Sequence, residues 1–179
     1  MNNYSMSIKY GVIAGISMIV ITLLIYFVSI AALSGMTPLL VYVVLIFAMI
    51  WGGITARKEL GNFSGFGQAF LTVFIVSFTA TMMFDSFNYV LFKVIDPSIP
   101  VVIKEKTIER VTDLMEKLGS SDEKTEEALK KIKEQDFTPT IKTLASHYAE
   151  SAIVGAILSA LIGLFVNRPD ERPQIKAEE

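Results

Sequence analysis

Cysteine is absent from this chain of 179 residues, and histidine occurs once, at His147. Without cysteine the protein has no disulfide bond, no thiol nucleophile and no cysteine-ligated metal site. A single imidazole also excludes every site that needs two histidines from one chain.

An excess of basic side chains is missing as well. Lysine and arginine number 16 against 18 acidic residues, a net charge of −2, which argues against nucleic acid as a partner. The hydrophobic share is 52 % and the mean hydropathy is +0.51, which is too apolar for an ordinary soluble fold. Charges are almost absent from residues 10–51 and 69–84 but dense in residues 104–136. This segregation indicates that the main partner of the chain is the lipid bilayer.

Long uncharged runs predict four membrane spans. A helix needs roughly 20 apolar residues to cross the hydrocarbon core. We predict spans at about residues 10–33, 38–56, 68–95 and 148–166. A signal peptide is the competing interpretation of the first run, but the run is too long for one and further spans follow. The predicted fold is a single all-α integral membrane domain, a four-helix transmembrane bundle.

Residues 97–138 predict a polar helical hairpin between the third and fourth spans. Apolar residues recur at helical spacing and give one apolar face: Ile108, Val111, Met115 and Leu118. Gly119 is typical of a C-cap, and Ser120 with Glu123 is typical of a capping box that opens a second short helix.

The last helix and the tail follow the hairpin. Thr138 and Pro139 predict the start of a helix that continues into the fourth span. Residues 168–179 are polar and contain proline, so we predict a disordered C-terminal tail.

Positive charge in the short flanks predicts the orientation. Lys9, Arg57 with Lys58, and the basic residues of the tail fall on one side of four spans, and the turn at residues 34–37 on the other side has none. We therefore expect a bacterial inner (cytoplasmic) membrane protein with both termini in the cytoplasm. The hairpin would then be extracytoplasmic, and the ten basic and eleven acidic residues of segment 93–142 nearly cancel.

Three stretches of the chain resemble a known family. They are residues 9–15 (KYGVIAG), residues 57–70 (from Arg57-Lys58 to SGFGQAF) and residues 87–97 (from FNY to VIDP). In this order they resemble the uncharacterised bacterial four-span membrane proteins of the domain-of-unknown-function family 4199. The resemblance covers nearly the whole chain and implies the architecture alone, because the family carries no assigned activity to transfer.

Four polar residues form a candidate cluster near the outer membrane boundary. Asp85 is predicted roughly one turn inside this boundary, with Asn88 on the same helix face. Counting along the fourth span places Glu150 at a similar depth and His147 one turn further out. The functional interpretation is a proton-linked, ion-binding or small-ligand site. The alternative is a set of interfacial groups that anchor the helix ends. One histidine and no cysteine argue against a metal, so we predict no metal and no cofactor.

The third span has a second, purely apolar face. It carries Val76, Met83, Phe87 and Val90, and we expect it to contact lipid.

Small residues recur at intervals of four in three spans. They are Gly11 and Gly15 in the first; Ala48, Gly52 and Ala56 in the second; and Ser151, Gly155, Ser159 and Gly163 in the last. Such spacing lets helix backbones approach closely. We predict packing within the bundle, with a homodimer through the last helix as the alternative.

No set of nucleophile, base and acid is evident, so we predict that the protein is not an enzyme. The leading hypothesis is a structural or interaction role in the cell envelope, in which the hairpin packs on the bundle or docks an envelope protein. One alternative is a small proton- or solute-linked carrier subunit that uses Asp85. Another is lipid handling in the outer leaflet, for which the apolar face of residues 108–118 is the only hint.

Overall fold

The computed structural model describes residues 4–33, 35, 37–61 and 63–167, and every regular element in these ranges is a helix. In chain order the helices are α1 (Ser5–Val28), α2 (Ile30–Leu33), α3 (Thr37–Glu59), α4 (Phe66–Val90), α5 (Ile99–Lys117), α6 (Asp122–Glu134) and α7 (Ile141–Val166). The last turn of α4 continues as a π-helix, Leu91–Ile95. The predicted disordered tail lies outside the described residues.

Four helices are long and apolar enough to cross a membrane, which confirms the predicted all-α, four-span architecture. They are α1, α3, α4 with its π-helical end, and α7, of 24, 23, 30 and 26 residues. The first begins at Ser5 rather than at residue 10, and it stops at Ser29, before the separate short helix α2.

Helix α4 is the central span, because it packs against α1, α3 and α7. Helices α1 and α4 run in one direction, and α3 and α7 in the other. We call the end of the bundle at which α5 and α6 lie the hairpin end, and the opposite end the terminal end. A core of side chains from α1, α3 and α4 fills the middle of the bundle: Ala14, Met18, Val41, Leu45, Met49, Val73, Val76 and Ala80.

The central position of α4 corrects the prediction of its lipid-facing side. Val76 is fully buried, and Met83 packs against α1 at Gly15. Only Val90 of the four predicted positions is clearly exposed, at 42 %. The prediction was wrong for Val76 because lipid tails and protein neighbours are equally apolar, so hydrophobicity cannot distinguish them.

Helix α5 docks on the hairpin end of the bundle through its first turn. Ile99 is fully buried with Leu33 and Leu91. Just before it, Asp96 accepts hydrogen bonds from the Tyr26 hydroxyl of α1 (3.0 Å) and from the backbone N–H of Ser98 (3.0 Å). This carboxylate therefore joins α1, the end of α4 and the start of α5.

Helix α6 packs on α5 in the antiparallel sense, since Lys104 Nζ near the start of α5 donates to the Lys133 carbonyl near the end of α6 (2.6 Å). Gly119 lies between the two helices with φ +61°, a conformation that suits the predicted C-cap. The predicted capping box at Ser120 is wrong, because α6 begins one residue later, after Ser121, whose side chain makes no cap.

Helix α7 begins two positions beyond the predicted proline. Thr140 is its N-cap: the Thr140 side chain accepts from the N–H of Thr143 (3.1 Å), and the Thr143 hydroxyl accepts from the N–H of Thr140 (2.7 Å). This reciprocal pair satisfies two backbone donors, so it places the helix start more strongly than Pro139 does.

Candidate functional site

Helices α3 and α7 are in contact at the terminal end of the bundle. Gly53 faces Val166 there, so closely that a Cβ on the glycine would lie 3.2 Å from a methyl of the valine. The Arg57 guanidinium donates to the Val166 carbonyl (2.8 Å). Towards the hairpin end the facing sides of these helices line a cavity of about 480 Å³ instead. We call this space the main cleft.

The main cleft has apolar walls and a polar end. Its apolar lining comes from α1, α3 and α7 and includes Met18, Val41, Leu45, Val154 and Leu158. Helix α4 forms the side opposite the gap between α3 and α7, and Ile103 and Thr107 of α5 cover the hairpin end. Tyr42 of α3 and Val154 of α7 both line the cleft and are 52 % and 43 % exposed, so the cleft is open between these two helices towards the surroundings of the bundle.

The structure brings the four predicted polar residues together at this cleft: Asp85, Asn88, His147 and Glu150 all line it. We keep the name polar cluster for these four. Positions three or four apart share a helix face, which is why Asp85 and Asn88 of α4 point to the same space as His147 and Glu150 of α7.

One hydrogen bond from a neighbouring residue joins the α4 side of the cluster to α7. Ser151 Oγ of α7 donates to Asp85 Oδ2 of α4 (3.1 Å). His147 Nδ1 lies 3.6 Å from Glu150 Oε2, and these two side chains are 64 % and 72 % exposed. Asp85 is thus the inner member of the cluster, while His147 and Glu150 lie at its mouth.

Three residues that line the main cleft have a buried polar atom with no hydrogen-bond partner among the described residues. These atoms are the hydroxyl oxygens of Thr22 and Ser77, on residues 2 % and 0 % exposed, and the side-chain oxygen of Asn88. A buried polar atom without a partner costs free energy. All three atoms lie behind the surface of the cleft.

A smaller cavity of about 230 Å³ lies on the other side of the cluster. It shares Asp85, Asn88, Phe92 and His147 with the main cleft, and Thr143 and Leu144 at the start of α7 complete its wall. The polar cluster therefore separates two cavities.

A comparison with known proteins identifies the family of this chain. A family model described as protein of unknown function (DUF4199) matches residues 9–168, which include all of α3 to α7 and most of α1. The chain belongs to the DUF4199 family. Both cavities and the whole polar cluster lie inside the matched DUF4199 region. No curated protein and no solved structure matches the chain.

Several groups of the cleft in this DUF4199 protein were missed by the sequence analysis. The sequence predicts Ser151 at about the depth of Asp85, but the predicted cluster does not include it, although Ser151 is the hydrogen-bond donor to Asp85. Thr22 and Ser77 were not singled out at all. The only sequence signal is a hydroxyl within a span, and this signal is weak because such hydroxyls often bond to their own helix, as Thr81 does to the Ser77 carbonyl (3.0 Å).

The small-residue ladders lie at contacts between spans of the single chain. A Cβ on Gly15, Gly52 or Gly163 would come within 3.1–3.2 Å of a neighbouring helix. Of the other residues in the ladders, Ala56 and Ser159 are also buried, and Ala48 packs beside the core. A homodimer through α7 would therefore use the outer side of this helix, where Ile153, Ile157 and Leu161 are exposed. The homodimer stays a prediction.

Proposed function

We propose that this protein binds an amphiphilic molecule within the membrane, with the polar head at the polar cluster and the apolar chain along the main cleft. The observation that carries the proposal is one cavity that joins ionisable groups to apolar walls and opens sideways between two spans. Its volume of about 480 Å³ is that of a small-molecule site.

Packing arguments favour binding over a purely structural role. Protein interiors are close-packed, and side chains that face a void lose their dispersion contacts. Here α3 and α7 close tightly at Gly53 and Val166, yet they leave a gap over the polar half of the bundle. An acyl or alkyl chain in the gap would restore the missing contacts.

The cost of placing an ionisable residue inside a membrane also favours a binding role. A carboxyl group in a span is costly, and such groups are usually paired or used for a function. Asp85 has one hydroxyl donor, Ser151, and faces a cavity. The proposed role is binding, in which no covalent bond is made or broken.

We also propose that the protein resides in a bacterial inner membrane with both termini in the cytoplasm. Lys9, Arg57 and Lys58 at the terminal end support this orientation by the positive-inside rule. The main cleft would then open to the outer half of the bilayer, which makes an outer-leaflet lipid or lipid-like molecule the natural ligand.

The test uses protein in lipid vesicles and a long-chain fatty alcohol that carries a diazirine and an alkyne on its chain. After illumination, peptides are mapped by mass spectrometry. We expect saturable labelling of cleft residues such as Leu45 and Leu158 above that of lipid-facing Leu24 and Leu161, each 62 % exposed. Unlabelled alcohol should compete for the cleft labelling only.

A pair of variants on α7 provides the control. Val154→Trp places bulk in the cleft and should reduce its labelling several-fold, whereas Ile153→Trp adds the same bulk on the neighbouring exposed side and should leave it unchanged. Labelling of cleft residues that is no higher than that of lipid-facing residues, does not saturate and ignores Val154→Trp would contradict the proposal.

The smaller cavity favours a second candidate, a proton- or solute-linked carrier that uses Asp85. Asp85, Asn88 and His147 border both cavities, so they could pass a solute or proton from one to the other. A carrier would move a labelled ligand into the vesicle lumen, whereas a binding protein would retain it in the membrane. Retention in the membrane excludes the carrier.

A further inference from the structure

We propose that the head group held at the polar cluster is a cation, and that the ligand is an amphiphile of the alkylammonium class. This inference rests on the proposed function and specifies the chemistry of its ligand.

Acidic side chains outnumber basic ones around the cleft, and His147 is the single basic residue among the described lining residues. Two carboxyl groups, Asp85 and Glu150, line the main cleft, and neither cavity is lined by a lysine or arginine among the residues that the structure describes. Four lysines are next in sequence to lining residues: Lys93, Lys104, Lys106 and Lys142. The ammonium group of Lys93 is directed to the Tyr89 hydroxyl (3.0 Å), that of Lys104 to the Lys133 carbonyl (2.6 Å) and that of Lys106 to the Glu109 carboxylate (2.5 Å). An anionic head group would meet two carboxylates, and a cationic one would be attracted to them.

The two carboxyl groups differ in what already surrounds them. Glu150 is largely exposed to solvent and has His147 beside it, at 3.6 Å, as a partner when the imidazole is protonated. Asp85 lies deeper, and its bonding partner is the uncharged Ser151 hydroxyl. A cationic ligand would therefore give Asp85 a directly bonded counter-charge, which the Ser151 hydroxyl does not provide.

The unused acceptor sites of Asp85 match an ammonium ion. A carboxylate offers about four acceptor sites, of which Asp85 uses one for Ser151. An ammonium group has three N–H donors and no acceptor, so it can bind to the acceptor sites of Asp85 that Ser151 leaves unused.

The apolar walls select an amphiphile over a bare cation. Ser77 lies two helical turns deeper than Asp85, about 12 Å along α4, and between these depths the cleft is lined by aliphatic side chains such as Leu45 and Val154. In the described part of the chain no three acidic or histidine side chains come together as a metal site. A small metal cation would leave the apolar half of the cleft empty.

The experiment measures displacement of the diazirine alcohol from the cleft of the full chain in nanodiscs of uncharged lipid. The competitors are dodecylamine, dodecanol and dodecanoate, which share a chain and differ in head group, compared at equal concentrations in the bilayer. We expect dodecylamine to displace the probe about tenfold better than dodecanol, a difference of about 1.4 kcal/mol, because a charge-assisted hydrogen bond is stronger than the neutral one that the alcohol forms. Dodecanoate should be the weakest competitor.

Variants assign the preference to its residue. Asp85→Asn keeps the shape and the Ser151 contact, and it should bring dodecylamine down to the level of dodecanol. Asp113→Asn removes the same charge from an exposed position on α5 and should change nothing. If Asp85→Asn does not fold, the ranking of the three competitors on the unmodified chain still decides the proposal.

The remaining outcomes distinguish failure of the cationic head group from failure of the amphiphile site itself. Equal displacement by dodecylamine and dodecanol would overturn the cationic head group and leave the amphiphile site intact. Displacement by ethylammonium or sodium ions as effective as that by dodecylamine would show a small-cation site and overturn the alkylammonium class. Failure of the cleft to retain the alcohol probe at all would overturn the proposed function itself.

Discussion

At the scale of single residues, the absence of a side chain determines how closely the spans approach. At Gly11 a Cβ would lie 2.6 Å from Thr79 Cβ and 2.8 Å from the Val76 carbonyl oxygen, so α1 could not keep its position against α4. Gly155 similarly allows α7 to reach Ser77 of α4, whose hydroxyl would lie 2.9 Å from the added carbon. Dispersion between closely packed backbones is the main attraction available between helices in lipid.

We therefore predict that Gly11→Ala destabilises the folded protein by about 1–3 kcal/mol, the usual cost of overpacking. The measurement is the midpoint of unfolding in mixed micelles. Gly67→Ala is the control, because Gly67 lies in the first turn of α4 and nothing is within 4 Å of the added carbon. Its midpoint should stay the same or rise slightly, since alanine favours the helix. Equal midpoints for the two variants would contradict the assigned packing role of Gly11.

At the scale of elements, the junction between α4 and α5 is organised by one carboxylate. The pKa of Asp96 lies below its usual value because the Ser98 hydroxyl and then the Ser98 N–H donate to the carboxylate, and the Tyr26 hydroxyl adds a third donor. Burial opposes this shift. The carboxylate follows the π-helix Leu91–Ile95, in which the Asp96 N–H bonds to the Leu91 carbonyl (2.8 Å).

The lowered pKa predicts how the docking of α5 depends on pH. A group whose folded-state pKa is depressed stabilises the fold fully above its unfolded pKa, about 4 for aspartate, and loses this effect as pH falls through the folded-state value. We expect amide protection in the first turn of α5, at Val101 and Val102, to decrease over that acidic range, after correction for intrinsic exchange.

Asp96→Asn separates this effect from the other acidic groups of the hairpin, including Asp136, whose pKa is also lowered by donors from Thr138. The variant should exchange faster than the unmodified protein at neutral pH and at the same rate once Asp96 is protonated. Hydrogen exchange followed by mass spectrometry measures both. Parallel pH profiles for the two proteins would show that Asp96 does not hold α5.

At the scale of the whole molecule, four spans place the loop after α3 and the α5–α6 hairpin on opposite sides of the membrane. The absence of native cysteine makes any introduced cysteine the only thiol. Glu59 at the end of α3 and Glu116 on α5 are both exposed, so Glu59→Cys and Glu116→Cys form a pair matched in the residue replaced.

We predict that a membrane-impermeant maleimide labels Glu116→Cys in intact bacterial spheroplasts and labels Glu59→Cys only after the membrane is opened. Labelling of both from the same side would contradict the four-span topology. Labelling of Glu59→Cys alone would reverse the proposed orientation and place the polar cluster in the inner leaflet.

The hairpin remains the region with the least defined role. Its apolar side is only partly covered, since Leu114 and Leu118 are 55 % and 70 % exposed. Docking of an envelope protein there stays a prediction from the sequence.

The amino-acid sequence by itself determined the membrane class and the four spans. The physical reason is that the bilayer selects long uncharged helices and leaves charges near their ends, so length and charge in one dimension are sufficient. The side-chain spacing also placed Asp85 and Glu150 at a similar depth, with His147 one turn further out.

Only the tertiary structure decided which helix faces meet. Apolar side chains suit lipid and protein equally, so the burial of Val76 and the central position of α4 could not be derived from hydrophobicity. The main cleft likewise depends on where α3 and α7 fail to meet, and the bond between Ser151 and Asp85 depends on the rotation of two helices about their axes. Neither the distance between two helices nor their rotation about their axes can be derived from the composition or the periodicity of a single span.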